Sequence, residues 1–296
     1  MMYRVILLIA FILGFIGCEK KIEFDLKQAS ELLSVDASIE NGQDPVVILT
    51  KSLNYFSKIS ADVLIHSMIK DADVFITEGN KTHQLRRYDV LIPGNNIPFS
   101  FYSSDISSPS TIIKGDFGKQ YQLKIVWKGK EYTSVTHIPE LKKKIDSLWW
   151  IKAPNTPDTS KRRIVRAKIT DPLLFGDYVR YFTKVNNQNF LPGLNSAFDD
   201  QLVNGTTYTV DVDRGVDRNI ELDFEEYGYF KKGDTVTVKF SNIDKATFDF
   251  WRTVEFSYSS IGNPFSSPTK IIGNISNGAL GYFGGYANQF KTVIIP

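Results

Sequence analysis

One long amphipathic helix sits in a chain otherwise made of short alternating segments. Asp244 can cap that helix, because its carboxylate oxygen can accept backbone N–H groups that the first turn leaves unpaired. Trp251, Val254, Tyr258 and Ile261 follow at spacings of three, four and three, so they share one face. Phe250 widens the stripe, and Asp249, Arg252 and Glu255 are expected on the other side. Gly262 and Pro264 stop the helix. The helix is therefore expected over 244–261, packed on a sheet. Burial of Trp251 alone contributes on the order of 2–3 kcal/mol.

The rest of the chain points to β-structure. Aromatic residues make up 13% of the sequence, with 21 Phe and 14 Tyr, and rings pack well on pleated surfaces. Leu33 to Glu40 alternates, and Gln43-Asp44-Pro45 turns it into Val46 to Thr50. Residues 57–70 fit a short helix or a buried strand. Hairpins are expected around Glu78-Gly79-Asn80 and around Lys128-Gly129-Lys130. About seven short strands in about 110 residues match an Ig-like sandwich over 32–140. A linker is expected at 141–160, interrupted by Leu148, Trp149 and Trp150, a cluster that suits an interdomain wedge or a ligand platform. Strands resume at 163–170, 178–186, 207–212, 219–224 and 235–240, so a second β-rich domain carrying the helix is expected over 161–296. The fold class is thus mostly β.

After the helix comes Ile275-Ser276-Asn277-Gly278-Ala279-Leu280-Gly281-Tyr282-Phe283-Gly284-Gly285-Tyr286. Its glycines allow positive φ or close backbone approach, and its rings supply buried area. It lacks the G-x-G-x-x-G spacing of a phosphate loop. Together with D-K-A-T-F-D-F-W-R and N-P-F-S-S-P, this run closely resembles the C-terminal signature of a family of Bacteroidota lipoproteins, the domain-of-unknown-function family 4249. The likeness extends weakly over nearly the whole chain after the N-terminal segment. The resemblance implies a cell-envelope lipoprotein of the kind often encoded beside TonB-dependent outer-membrane receptors, and it supplies no catalytic residues.

The N-terminus fits that implication independently. Arg4, a continuous apolar run from Val5 to Ile16, and Gly17 directly before the single cysteine, Cys18, have the shape of a lipoprotein signal. The run is too short to span a bilayer. Cleavage is expected after residue 17, with Cys18 carrying lipid and 18–31 forming a tether. Two or more acyl chains hold a protein stably at a membrane. The tether begins Glu19-Lys20-Lys21, which leaves the cell surface and the periplasmic face both open.

Charge and motifs narrow the chemistry further. A net charge of +2 gives no reason to expect nucleic acid. Lys142-Lys143-Lys144 and Arg162-Arg163 are expected to be solvated linker positions. One cysteine rules out an internal disulfide or a multi-thiolate zinc site. His66, His83 and His137 share no metal-ligand spacing. Asp211-x-Asp213-x-x-x-Asp217 hints at calcium, but Val216 and Leu222 stand where an EF-hand needs glycine and glutamate. The acidic loop at Asp199-Asp200 is a similar, weaker case. Adjacent Glu225 and Glu226 would point to opposite faces of a strand and cannot flank one bond. Ser267-Pro268-Thr269-Lys270 has S-x-x-K letters without the helical setting. No cofactor, metal or catalytic residue is therefore assigned. The ligand-binding candidates are Trp149, Trp150, Tyr282 and Tyr286. The expected function is that of a non-enzymatic accessory to a TonB-dependent uptake system, binding ligand or receptor. A surface hydrolase and a structural or adhesive envelope protein are the alternatives.

Overall fold

The computed structural model describes residues 31–53, 60–92, 97–154, 157, 160–261 and 269–296. The expected signal segment, Cys18 and almost all of the tether lie outside the described residues, as do Gly262, Pro264 and the S-x-x-K serine. Residues Glu31–Pro296 form one compact unit.

The chain opens with a hairpin, β1 (Leu33–Glu40) and β2 (Val46–Lys51), and a short helix, α1 (Ala61–Ser67), capped by Ser60. The hairpin β3 (Asp73–Glu78) and β4 (Lys81–Gln84) follows, then β5 (Arg86–Leu91) and β6 (Pro98–Ser103), then the long hairpin β7 (Lys119–Trp127) and β8 (Lys130–Ile138). Lys128 and Gly129 both have positive φ, 49° and 72°, as a two-residue hairpin turn demands. Strand alternation decides which side faces inward. Leu33, Val35, Ala37 and Ile39 of β1 are all buried, as are Tyr121, Leu123, Ile125 and Trp127 of β7. Strands β1-β2-β6-β5 and β4-β3-β7-β8 belong to two sheets that share one apolar core.

The second part begins with β9 (Lys144–Lys152) and β10 (Arg162–Thr170), then β11 (Tyr178–Val185), β12 (Leu191–Phe198), β13 (Thr207–Val212), β14 (Phe230–Lys231) and β15 (Thr235–Ile243). Helix α2 (Lys245–Ser259) and a fifteen-residue strand, β16 (Leu280–Ile294), complete it. Strand β10 pairs with β9, β13 and β14, and these pack on β11 and β15 around Val165, Phe230 and Val236.

One strand joins the two cores. Residues 280–286 of β16 run parallel to β1, and residues 286–294 run antiparallel to β15. The result is an eight-stranded sheet, β12-β11-β15-β16-β1-β2-β6-β5, built from both ends of the chain. Gly281 lets β16 come close against β1. It has φ +94°, and a Cβ there would lie 1.8 Å from the Val35 carbonyl oxygen.

The mostly-β class with one long helix near the C-terminus stands. Several local expectations change. The segment expected as a linker contains β9, because Ile145, Leu148 and Trp150 give it an inward side against the second core. Its Lys143 is fully buried rather than solvated. Arg162 and Arg163 lie in β10, where Arg162 pairs with Glu226 and Arg163 lies near Trp150. Residues 219–224 form turns and irregular backbone instead of a strand, with Ile220 and Phe224 exposed. On α2, Asp244 caps Thr247 N as expected. The buried face, however, carries Thr247, Phe248 and Glu255, while Ile261 is exposed. Among the described residues no helix is long and apolar enough to cross a membrane.

Candidate functional site

A pocket of about 460 Å³ lies where α2, β11, β15, β16 and the end of β1 meet. Period-two geometry builds its floor. Tyr282 and Tyr286 project from one side of β16, Arg180 and Phe182 from β11, and Ser38 and Glu40 from β1. Trp251 closes one wall from α2. The start of β12 and residues 216–219 close the other.

The centre is an aromatic nest around a buried arginine. The Arg180 guanidinium lies 3.4 Å from the Trp251 ring centroid and 4.6 Å from that of Phe182. Its Nε donates to Ser196 Oγ at 3.1 Å. Cation–ring contacts of this kind gain strength when desolvated. Phe250 stacks on Tyr282 at 4.4 Å, and Trp251 meets Tyr282 edge-on at 5.2 Å. Trp251 Nε1 donates to Tyr286 Oη at 2.9 Å, and the two tyrosine hydroxyls are 3.2 Å apart.

Behind Arg180 stands Glu255, almost fully buried. It accepts from Ser196 N at 2.9 Å, from Ala197 N at 3.3 Å and from the Ser196 hydroxyl. Arg218 Nη2 reaches it at 3.5 Å and also donates to the Gly193 and Leu194 carbonyls. On the other flank, Lys239 Nζ donates to Glu40 at 2.6 Å and Asn288 donates to the same carboxylate at 2.7 Å.

Burial pushes the Tyr282 hydroxyl well above its ordinary range, reinforced by Tyr286 and Asp36. Burial also raises Tyr286, with Arg180 pulling the other way. Both phenols stay protonated at neutral pH and act as hydrogen-bond donors. Asp36 keeps an exposed edge, yet the protein crowding it raises its carboxyl, which Tyr282 and Arg180 partly offset. The pocket thus combines ring surfaces with cationic and phenolic donors, an arrangement suited to holding a small polar ligand.

Among the residues singled out from sequence, Tyr282 and Tyr286 line this pocket. Trp149 and Trp150 do not. They are half-buried ladder residues of β9, paired with Arg166 and Val165, and Trp150 packs against the second core. Of the acidic stretches, Asp211 pairs with Arg166 at 2.7 Å, and Asp217 accepts from Asn219. Asp200, rather than Asp199, joins a cluster with Asp171 and Asp177 whose oxygens lie within 4.8 Å of one another. That spacing suits a metal, but Lys143 Nζ already sits 2.6 Å from Asp171 Oδ1 and supplies positive charge there.

Sequence reasoning missed Arg180, Arg218 and Glu255. Glu255 had a usable signal: it lies four residues after Trp251 and seven after Phe248, on the buried stripe. The arginines had none, because their roles depend on a partner brought from the helix.

No curated protein matches this chain. The family model described as Domain of unknown function (DUF4249) matches residues 19–292, nearly everything after the expected signal segment, and includes every pocket residue. On that match the chain belongs to the family Domain of unknown function (DUF4249).

Proposed function

We propose that this protein is an outer-membrane lipoprotein, held by lipid on Cys18, that binds a small ligand as a non-enzymatic accessory of a TonB-dependent uptake system. The observation that carries the binding part is the pocket around Arg180, Trp251, Tyr282 and Tyr286. The family signature runs through its floor and helical wall, so the segments that make the family recognisable also build the pocket. The anchor part rests on the basic residue, apolar run and glycine before Cys18. We read the first sandwich as Ig-like, because β1-β2-β6-β5 opposite β4-β3-β7-β8 follows the A-B-E-D and C-F-G strand order with one added edge strand. Such a module presents a rigid frame and suits a receptor contact.

The test is affinity capture of the tagged protein from native outer membrane, with mass spectrometry of what co-purifies. A stoichiometric TonB-dependent receptor is the expected result. Recovery of the protein alone, in detergents that preserve known receptor complexes, refutes the accessory reading.

A further inference from the structure

Three cationic side chains line the pocket: Arg180, Arg218 and Lys239. Two of them have a carboxylate of their own. Lys239 pairs with Glu40 at 2.6 Å, and Arg218 pairs with Glu255 at 3.5 Å. Among the described residues no carboxylate pairs with Arg180, yet Arg180 is the buried one of the three, 3% exposed. A buried cation is costly unless its charge is answered.

The surroundings answer that charge incompletely. Arg180 Nε donates to Ser196 Oγ, and Ser196 gives its own hydrogen to Glu255, so that carboxylate stands one hydroxyl away. The Trp251 and Phe182 rings lie against the guanidinium, which also donates toward the Tyr286 hydroxyl. Asp36 acts on Arg180 from β1, but burial holds its carboxyl above the ordinary range, which weakens it as an anion. Asp217, the other acid of the pocket wall, accepts from Asn219 N at 2.9 Å and from Asn219 Nδ2 at 2.8 Å instead.

We infer that the pocket takes a small monocarboxylic acid with a mainly apolar body, its carboxylate seated on Arg180. The inference rests on the reading of this pocket as a ligand site and names the ligand's chemistry. A guanidinium presents paired N–H donors that match the two oxygens of a carboxylate. With Nε on Ser196, the Nη groups hold the donors that remain. The body has apolar surface to meet in Phe182, Phe190, Leu191, Pro192 and Val216, within about 460 Å³. Charge limits the ligand to one anionic group. Glu40 and Asp217 stand in the same wall, so the second negative charge of a phosphate monoester would meet a like charge there.

The experiment titrates the mature chain from Cys18, made without lipid, by calorimetry to roughly 10 mM probe. The probes are hexanoate and 3-phenylpropanoate, each with its neutral amide, and phenyl phosphate. At least one acid is expected to bind, and at least about tenfold more tightly than its amide. Phenyl phosphate is expected to bind more weakly than that acid. Arg180→Met, which keeps an apolar side chain beside Trp251, is expected to bring acid and amide within about twofold of each other. Trp251→Phe locates the site without touching the charge: the binding acid is expected to change the tryptophan emission of the wild type, and that change is expected to be lost in the variant. Acid and amide binding equally to the wild type overturns the inference and leaves the pocket a site for neutral ligands. Phenyl phosphate binding tighter than either acid overturns it in favour of a phosphate. A preference for the acid that survives Arg180→Met, or an emission change that survives Trp251→Phe, places the acid elsewhere and also overturns it. Failure of every probe to bind overturns it together with the ligand reading on which it rests.

Discussion

Lys143→Met tests the bracing of the second core most directly. The ammonium lies 2.6 Å from Asp171 Oδ1, with the two side chains 1% and 0% exposed. The contact is charge against charge rather than an aligned hydrogen bond. Methionine keeps much of the stem and removes the charge, which leaves the Asp171 carboxylate buried beside Asp177 and Asp200. Removing one member of a buried pair costs about 3–5 kcal/mol. Lys143→Met with Asp171→Asn removes both charges, and the amide oxygen can still accept from Gly205 N. That double variant is expected to recover at least roughly 2 kcal/mol of the loss. The effect has a pH signature. Burial, then Asp171 and Asp200, hold the Asp177 carboxyl above its ordinary range, and Lys142 and Lys143 oppose them. A carboxyl raised in the folded state contributes stability that is complete below its unfolded value and is lost as pH rises through the folded one. Without Lys143 that pKa rises further, so the penalty is expected to be small near pH 4 and to grow toward neutrality. Urea unfolding followed by tryptophan fluorescence, from pH 4 to 7, reads both quantities. A single variant within roughly 1 kcal/mol of wild type at pH 7 refutes the reasoning. So does a double variant as damaged as the single one.

Other outcomes follow from the same geometry. Gly281→Ala imposes a left-handed residue and a Cβ 1.8 Å from Val35 O, so it is expected to cost roughly 2–5 kcal/mol. Gly278→Ala, at φ +74° with nothing within 4 Å, is expected to cost only about 1–2 kcal/mol by thermal unfolding; equal losses would discount the clash. Glu255→Ala takes the carboxylate acceptor from two buried backbone N–H groups and the Ser196 hydroxyl and removes the counter-charge beside Arg218, an expected loss of about 3–5 kcal/mol. Glu255→Gln keeps an acceptor, so denaturant unfolding is expected to place it between wild type and alanine. Tyr286→Phe removes the acceptor of Trp251 Nε1, for about 1–2 kcal/mol and a change in tryptophan emission; an unchanged spectrum counts against that bond.

Local features were legible in the sequence because their physics is local. Alternation placed β1, the hairpins at Gly79 and Gly129, and β10, since burial on one face of a pleated strand writes itself into neighbouring residues. Asp244 and the aromatic spacing placed α2. The glycine-aromatic run signalled close backbone approach, which Gly281 makes against Val35, and the family could be recognised from the same residues.

What the tertiary structure alone decided was partnership. No local pattern states that β16 pairs with β1 across the length of the chain, or that it joins two cores into one sheet. Charged residues were the hardest to place, because a lone lysine, arginine or glutamate reads as solvated until its partner is known. Lys143 is buried because Asp171 comes to it from the end of β10. Glu255 is buried because β12 offers it two N–H groups, and Arg180 because Trp251 covers it from α2. Desolvating a charge is affordable only opposite a specific counter-group, and which residue supplies that group is settled by long-range register, not by neighbours in sequence.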